Sequence, residues 1–148
     1  MSFETTMTFH GAERNAEAIT YGGGHSQSDA LVYLPEERIA FLGDLLFINY
    51  QPALFNGDTN ELLRILDQIE ALDAKTLVPG HGPVGTSEDI APMRDYVTAL
   101  EKTVEEVAAS GGGPEQAAEK PIAAPFDSWK WHSFYKENIE FLFQRKSK

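Results

Sequence analysis

Three side chains with metal-binding chemistry each follow directly on a strand-like run and lie beside glycine. They are His25 in Gly-Gly-Gly-His-Ser-Gln-Ser-Asp, Asp44 in Phe-Leu-Gly-Asp-Leu-Leu-Phe and His81 in Val-Pro-Gly-His-Gly-Pro-Val. Loops at strand ends are where open α/β sheets place ligands, because the rigid sheet fixes the bases of several loops at once. Two imidazoles and a carboxylate form a workable set for Zn, Fe or Mn, with positions left for water and substrate. A metal there would lower the pKa of bound water and polarise a carbonyl or phosphoryl oxygen. Each residue also has a plain structural reading. His25 could be a polar turn residue, His81 a tight-turn residue between Gly and Pro, and Asp44 a helix cap or an acceptor at a hairpin end. Asp44 is the oddest of the three, because Leu45-Leu46-Phe47 follows Ile39–Leu42 almost without interruption. A carboxylate in such an apolar run needs a charge, several N–H donors or a metal.

Other polar residues rank lower. Ser26, Ser28 and Asp29 follow His25, but neighbours on one loop rarely aim at each other as a Ser–His–Asp triad requires. Asp29 reads better as a brace for the loop that carries His25. His132, in Trp-Lys-Trp-His-Ser, reads as a packing or surface histidine, and His10 as a strand end running into a turn. Glu101–Glu106 reads as a solvated helix face. No Gly-Lys-Ser/Thr follows the glycine run, so it is not a phosphate loop.

The elements that must position these residues divide the chain into a strand-rich part (1–84) and a helical part (85–148) of one domain. Thr5–Phe9 and Ala16–Tyr21 have strand-like patterns, and Gly22–Gly24 form a flexible turn before His25. Ala30–Leu34 and Ile39–Leu42 read as a hairpin around the turn Pro35–Arg38, ending at Gly43-Asp44. Leu62, Leu63, Ile65, Leu66, Ile69 and Leu72 then recur at helical steps, predicting a helix over Thr59–Leu72. Asp58 is its expected cap, with Glu61 completing a capping-box-like pair. Lys75–Val78 is a short strand, which Pro79-Gly80-His81-Gly82-Pro83 is expected to end. A second helix spans about Asp89–Ala109, with Pro92 in its first turn and the triple glycine 111–113 ending it. Glu115–Glu119 is a helical turn. A last helix, capped by Asp127 or Ser128 and running to about Phe143, turns Trp131, Phe134, Tyr135, Asn138, Ile139 and Leu142 toward the body. This order predicts an α/β or α+β protein.

Composition narrows the function classes. The 148 residues hold 12 Lys+Arg against 23 Asp+Glu, a net charge of −11, which is the wrong sign for nucleic acid or an anionic membrane surface. There is no cysteine, so a metal site must use His, Asp and Glu. No signal-like N-terminus or membrane-length apolar run is seen, making a cytoplasmic protein the expectation.

In their order, Gly-His-Ser-x-x-Asp, Leu-Pro-Glu-Glu-Arg-Ile-Ala-Phe-Leu-Gly-Asp-Leu-Leu-Phe and Leu-Val-Pro-Gly-His-Gly-Pro-Val resemble the metallo-β-lactamase superfamily, from about Phe3 to Val84. The Trp/Tyr-rich last helix also resembles the C-terminal part of its hydrolase branch. The resemblance implies an α/β/β/α sandwich with a dinuclear, usually zinc, site at one edge. It puts His25 on one metal, Asp44 bridging two as the catalytic carboxylate, and His81 on the other. It implies hydrolysis of an ester, thioester, lactone, amide or phosphoester in a small-molecule substrate. The family's first signature, His-x-His-x-Asp-His, is missing, and with it four ligands, including the Asp that helps orient the attacking water. The expected architecture is therefore the C-terminal half of that sandwich, one mixed sheet with helices packed on one face. The bare sheet face would be an apolar patch beyond what soluble monomers tolerate. A homodimer, or the missing N-terminal half, is the expected cover. The rival expectation is a catalytically silent half-domain that self-associates as a structural module.

Overall fold

The computed structural model describes residues 2–146. Five strands form one mixed sheet in the order β1-β2-β3-β4-β5. They are β1 (Thr6–His10), β2 (Asn15–Gly22), β3 (Asp29–Leu34), β4 (Ile39–Phe47) and β5 (Thr76–His81). The first four make an antiparallel meander, whose short connections need only tight turns. β5 runs parallel to β4 and is reached through α1 (Thr59–Ala71), the kind of crossover that parallel pairing requires. Then come α2 (Ile90–Ala109), the short α3 (Pro114–Ala118) and α4 (Ser133–Lys146). The expected mixed sheet with helices on one face is what is found.

Period-2 alternation sends Leu31, Ala40, Leu42 and Leu77 to the helical side, where all are buried. α1 meets them with Leu62, Ile65, Leu66 and Ile69. The stripe Ile90, Met93, Val97, Leu100, Val104 and Val107 of α2 is wholly buried, as its spacing predicts. Asn138 of α4 is fully buried among these elements. It accepts from Leu54 N–H at 2.8 Å and donates to the Pro52 carbonyl at 2.8 Å, satisfying two loop backbone groups.

Four local expectations need correction, and two of them shape the site. β4 does not end at Gly43-Asp44 but continues to Phe47 through register shifts on both sides of Gly43, which has φ +53°. This bulge lets the strand carry a polar residue in an apolar run. β5 is likewise not stopped at Val78, because it runs through Pro79 and Gly80 to His81. It lies at the sheet edge, where a missing N–H is tolerated. Asp58 does cap α1, accepting from Asn60 and Glu61 N–H, but the return half of the capping box is not made. Asp58 N–H donates to Gly24 O, and Glu61 pairs with Arg64. Asp127 and Ser128 sit in a 3-10 turn rather than capping α4, which starts at Ser133 after Trp131 at φ +65°.

Candidate metal-binding site

The loop before β3 places His25, and Asp29 shapes that loop. Asp29 Oδ2 accepts from the N–H groups of Gly24 (2.7 Å), His25 (2.9 Å) and Ser26 (3.1 Å), while Oδ1 accepts from the Ser26 hydroxyl at 2.6 Å. Burial raises the Asp29 carboxyl pKa, but the Ser26 hydroxyl and the three N–H donors outweigh it, leaving the pKa below its ordinary value. Asp29 is thus the brace its position predicts. Ser26 spends its hydroxyl on Asp29 and the Ser28 carbonyl, which removes it as a nucleophile partnered by His25.

A second tie comes from the far end of the chain. Asp58 N–H donates to Gly24 O at 2.9 Å, and Arg145 bonds both the Gly57 carbonyl (3.0 Å) and the Asp58 carboxylate. Burial raises the Asp58 carboxyl, but Arg145 and the α1 N–H donors bring it below its usual range. A Cβ on Gly57 would lie 1.9 Å from Gly24 O, so only glycine allows this approach.

The Gly43 bulge delivers Asp44 between the two imidazoles. His25 Nε2 lies 3.6 Å from Asp44 Oδ2, and His81 Nε2 lies 3.3 Å from Asp44 Oδ1. β5 comes so close that a Cβ on Gly80 would meet Asp44 Oδ1 at 2.2 Å and Gly43 O at 2.8 Å. The three residues singled out in sequence therefore meet around one carboxylate. An open depression of about 490 Å³ runs beside it, lined by His25, Ser28, Asp29, Gly43 and Asp44 among others. His132 and His10 take no part: His132 is exposed, and His10 Nδ1 lies 2.9 Å from Asn15 Oδ1. Glu101 is not simply solvated, because it accepts from the Thr59 hydroxyl at the start of α1 at 2.6 Å.

These spacings suit a shared cation better than direct hydrogen bonds. Two ligands each about 2.0–2.2 Å from one tetrahedral ion stand roughly 3.3–3.5 Å apart, close to the distances seen. A direct N–H···O bond would be nearer ~2.9 Å. The imidazoles approach opposite oxygens of Asp44. Among the described residues, no group of three or more His, Asp or Glu side chains is arranged to hold a metal ion.

An aromatic wall, not anticipated from sequence, backs the histidines. Phe47 lies 5.8 Å from the His25 ring and 5.0 Å from the His81 ring, centroid to centroid. Trp131 stands edge-on to His81 at 4.6 Å and to Tyr50 at 4.9 Å. His25 Nδ1 is buried without a hydrogen-bond partner, so packing on Phe47 helps set that ring. The cluster of aromatic residues is visible in sequence, but not the left-handed turn at Trp131 that brings its ring back to the site.

Comparison with known proteins identifies a family. The family described as the Metallo-beta-lactamase superfamily matches residues 8–81, half of the 148-residue chain. The metallo-beta-lactamase type 2 of Bacteroides fragilis is 35% identical over 81 residues, covering 51% of this chain and 32% of that protein. A solved metallo-beta-lactamase from Pontibacter korlensis is 27% identical with a TM-score of 0.59, over 66% of this chain and 47% of that one. A metallo-beta-lactamase family protein of Thermus thermophilus is 15% identical and shares the fold at a TM-score of 0.70. That match takes in 98% of this chain and 48% of the other. The chain thus spans about a third of the curated relative and just under half of these solved structures.

Proposed function

The chain belongs to the metallo-beta-lactamase superfamily, and from that premise we propose that it carries part of the zinc-dependent active site of a hydrolase. One observation carries the reading: a single carboxylate flanked by two imidazoles, one on each oxygen, at 3.3 and 3.6 Å. His25 with Asp44 Oδ2 would hold one ion, and His81 with Asp44 Oδ1 the other. Zinc, when bound, lowers the pKa of water and polarises a carbonyl or phosphoryl oxygen. Asp44 would be the carboxylate ligand common to both, while Asp29 and Phe47 hold His25 in place. Trp131 packs edge-on against His81 and Tyr50 and so fixes the His81 ring. The substrate class is an ester, thioester, lactone, amide or phosphoester. No residue of this chain supplies the water-orienting Asp of the family's missing signature.

A second reading is favoured by one specific observation, the lack of a three-ligand group among the described residues. On that reading the chain is a catalytically silent half-domain and the histidines are retained scaffold. Metal analysis after purification without chelator separates the two. Zinc that remains bound to the wild type and is lost in His81→Ala supports the site. No zinc in well-folded protein, even after incubation with excess zinc, supports the silent module.

A further inference from the structure

The segment between β4 and α1, residues 48–58, starts against one of the two site histidines and ends against the other. Ile48 N–H donates to the His81 carbonyl at 3.0 Å, and Asp58 N–H donates to the carbonyl of Gly24, the residue before His25, at 2.9 Å. The C-terminal part of the chain is fastened along this segment at three points. Lys130 N–H donates to the Asn49 carbonyl at 3.0 Å, Asn138 bonds Pro52 and Leu54, and Arg145 bonds the Gly57 carbonyl and the Asp58 carboxylate. Asn138 and Arg145 stand two turns apart on α4, about 10 Å along one helix face, so they reach successive stretches of the segment.

His25 depends on this fastening more than His81 does. A metal-ligating imidazole is ordinarily aimed by a hydrogen bond at its second nitrogen. His25 Nδ1 is buried and has no such partner among the described residues, so the placement of its backbone and the Phe47 contact must aim the ring. That backbone is gripped from both sides at Gly24, where Asp29 takes the N–H and Asp58 the carbonyl. Asp29 opens β3 and Asp58 caps α1, so the first grip ties the loop to the sheet and the second ties it to the helices. Gly57 is pressed against the same stretch: a Cβ there would lie 1.9 Å from Gly24 O and 2.6 Å from His25 O. Arg145 clamps Gly57 and Asp58 together with two prongs, and its guanidinium lies 5.6 Å from the centre of the Phe141 ring one turn back. His81, by contrast, has two rings against its own, Phe47 at 5.0 Å and Trp131 at 4.6 Å.

We propose that Arg145 is a positioning residue for the His25 half of the metal site, acting through Gly57 and Asp58 on the Gly24 carbonyl. The proposal rests on the zinc reading given above. Without the guanidinium the corner at Gly57-Asp58 is unclamped, the Gly24 carbonyl loses its fixed donor, and the loop pivots on Asp29. His25 Nε2 then leaves its place beside Asp44 Oδ2, while the ties of His81 are untouched.

The test compares Arg145→Met and Arg145→Lys with the wild type, with far-UV circular dichroism as the check on folding. Lysine keeps the charge opposite Asp58 but lacks the second prong, and it serves if the methionine variant does not fold. The first readout is amide exchange of the metal-free chain. The N–H groups of Gly24, His25, Ser26 and Asp58 should exchange about 10-fold faster in the variants, while Ile48 and Leu77 N–H, on the His81 side, keep their wild-type rates. The second readout is NMR of the two imidazoles in zinc buffered by a chelator. The zinc concentration that half-shifts His25 should rise about 10-fold, and that for His81 by less than about 3-fold. Unchanged exchange at the four groups overturns the proposal. So does faster exchange of every slow amide together, which is what a merely structural role gives, or an equal loss of zinc at both histidines. A wild type whose imidazoles zinc does not shift refutes the zinc reading and the proposal together. A wild type that takes up zinc while both variants match it refutes the proposal alone.

Discussion

Gly80→Ala tests how closely β5 must approach Asp44. Gly80 is not among the positive-φ glycines, so alanine is allowed by the backbone and the effect is purely one of space. The added Cβ would stand 2.2 Å from Asp44 Oδ1 and 2.8 Å from Gly43 O. Ordinary contact needs about 3.4 Å or more, so the carboxylate must retreat by roughly 1.2 Å and the β4 backbone by roughly 0.6 Å. The carboxylate can rotate, but the Gly43 carbonyl belongs to the strand itself and moves only if β4 and β5 separate. Overpacking of this kind costs about 1–3 kcal/mol. The 3.3 Å approach of His81 to Asp44 would be lost in either case. Zinc affinity, read by competition with a chromophoric chelator, should fall about 10- to 100-fold, as it does when a group that orients a ligand is displaced. Urea unfolding supplies a second, metal-free readout. Gly113→Ala is the control, because its Cβ meets nothing within 4 Å. If Gly80→Ala unfolds at the same urea midpoint as the wild type, the steric reasoning is wrong.

Asp29 should make stability depend on acid. Its carboxyl is held below the ordinary value, so its contribution is present above that value and lost as pH falls through the lower folded pKa. Asp29→Asn should cost about 1–2 kcal/mol near neutrality and flatten the acid limb of urea stability measured across that range; an unchanged acid limb would contradict the assignment. Asn138→Leu leaves the Leu54 N–H and Pro52 carbonyl unpaired in the interior and should cost about 2–4 kcal/mol in the same assay. At Trp131, where φ is +65°, the glycine variant should be more stable than the alanine variant by about 1 kcal/mol, the reverse of the order in an ordinary helix or strand. Equal stabilities would mean that the left-handed turn relaxes once the ring is gone.

The site is legible in sequence to the extent that chemistry and punctuation coincide. His25, Asp44 and His81 each sit beside glycine after a strand-like run in the sequence, and the structure brings all three together. What stays hidden depends on long-range pairing. Gly43 and Pro79 look like stop signals, yet partners on neighbouring strands carry β4 and β5 through them to Phe47 and His81. A capping box is read from local spacing, but Gly24 captures the Asp58 N–H that would close it. Trp131 follows the helical spacing of α4, and only its positive φ takes it out of that helix and against His81. The helical stripes of α1 and α2 are easy to read because a helix face is set by neighbours three and four residues away.

Arg145 ties the last turn of α4 to Gly57 and Asp58, and through them to the loop that holds His25. This link imposes an order on assembly. During synthesis the antiparallel meander of β1 to β4 leaves the ribosome early and needs only nearby contacts to form. The histidine loop belongs to that earlier part, but its Arg145 anchor is made only after α4 follows. A nascent chain can therefore complete its meander, with Asp29 and Phe47 already on His25, before the α4 anchor of that loop is in place.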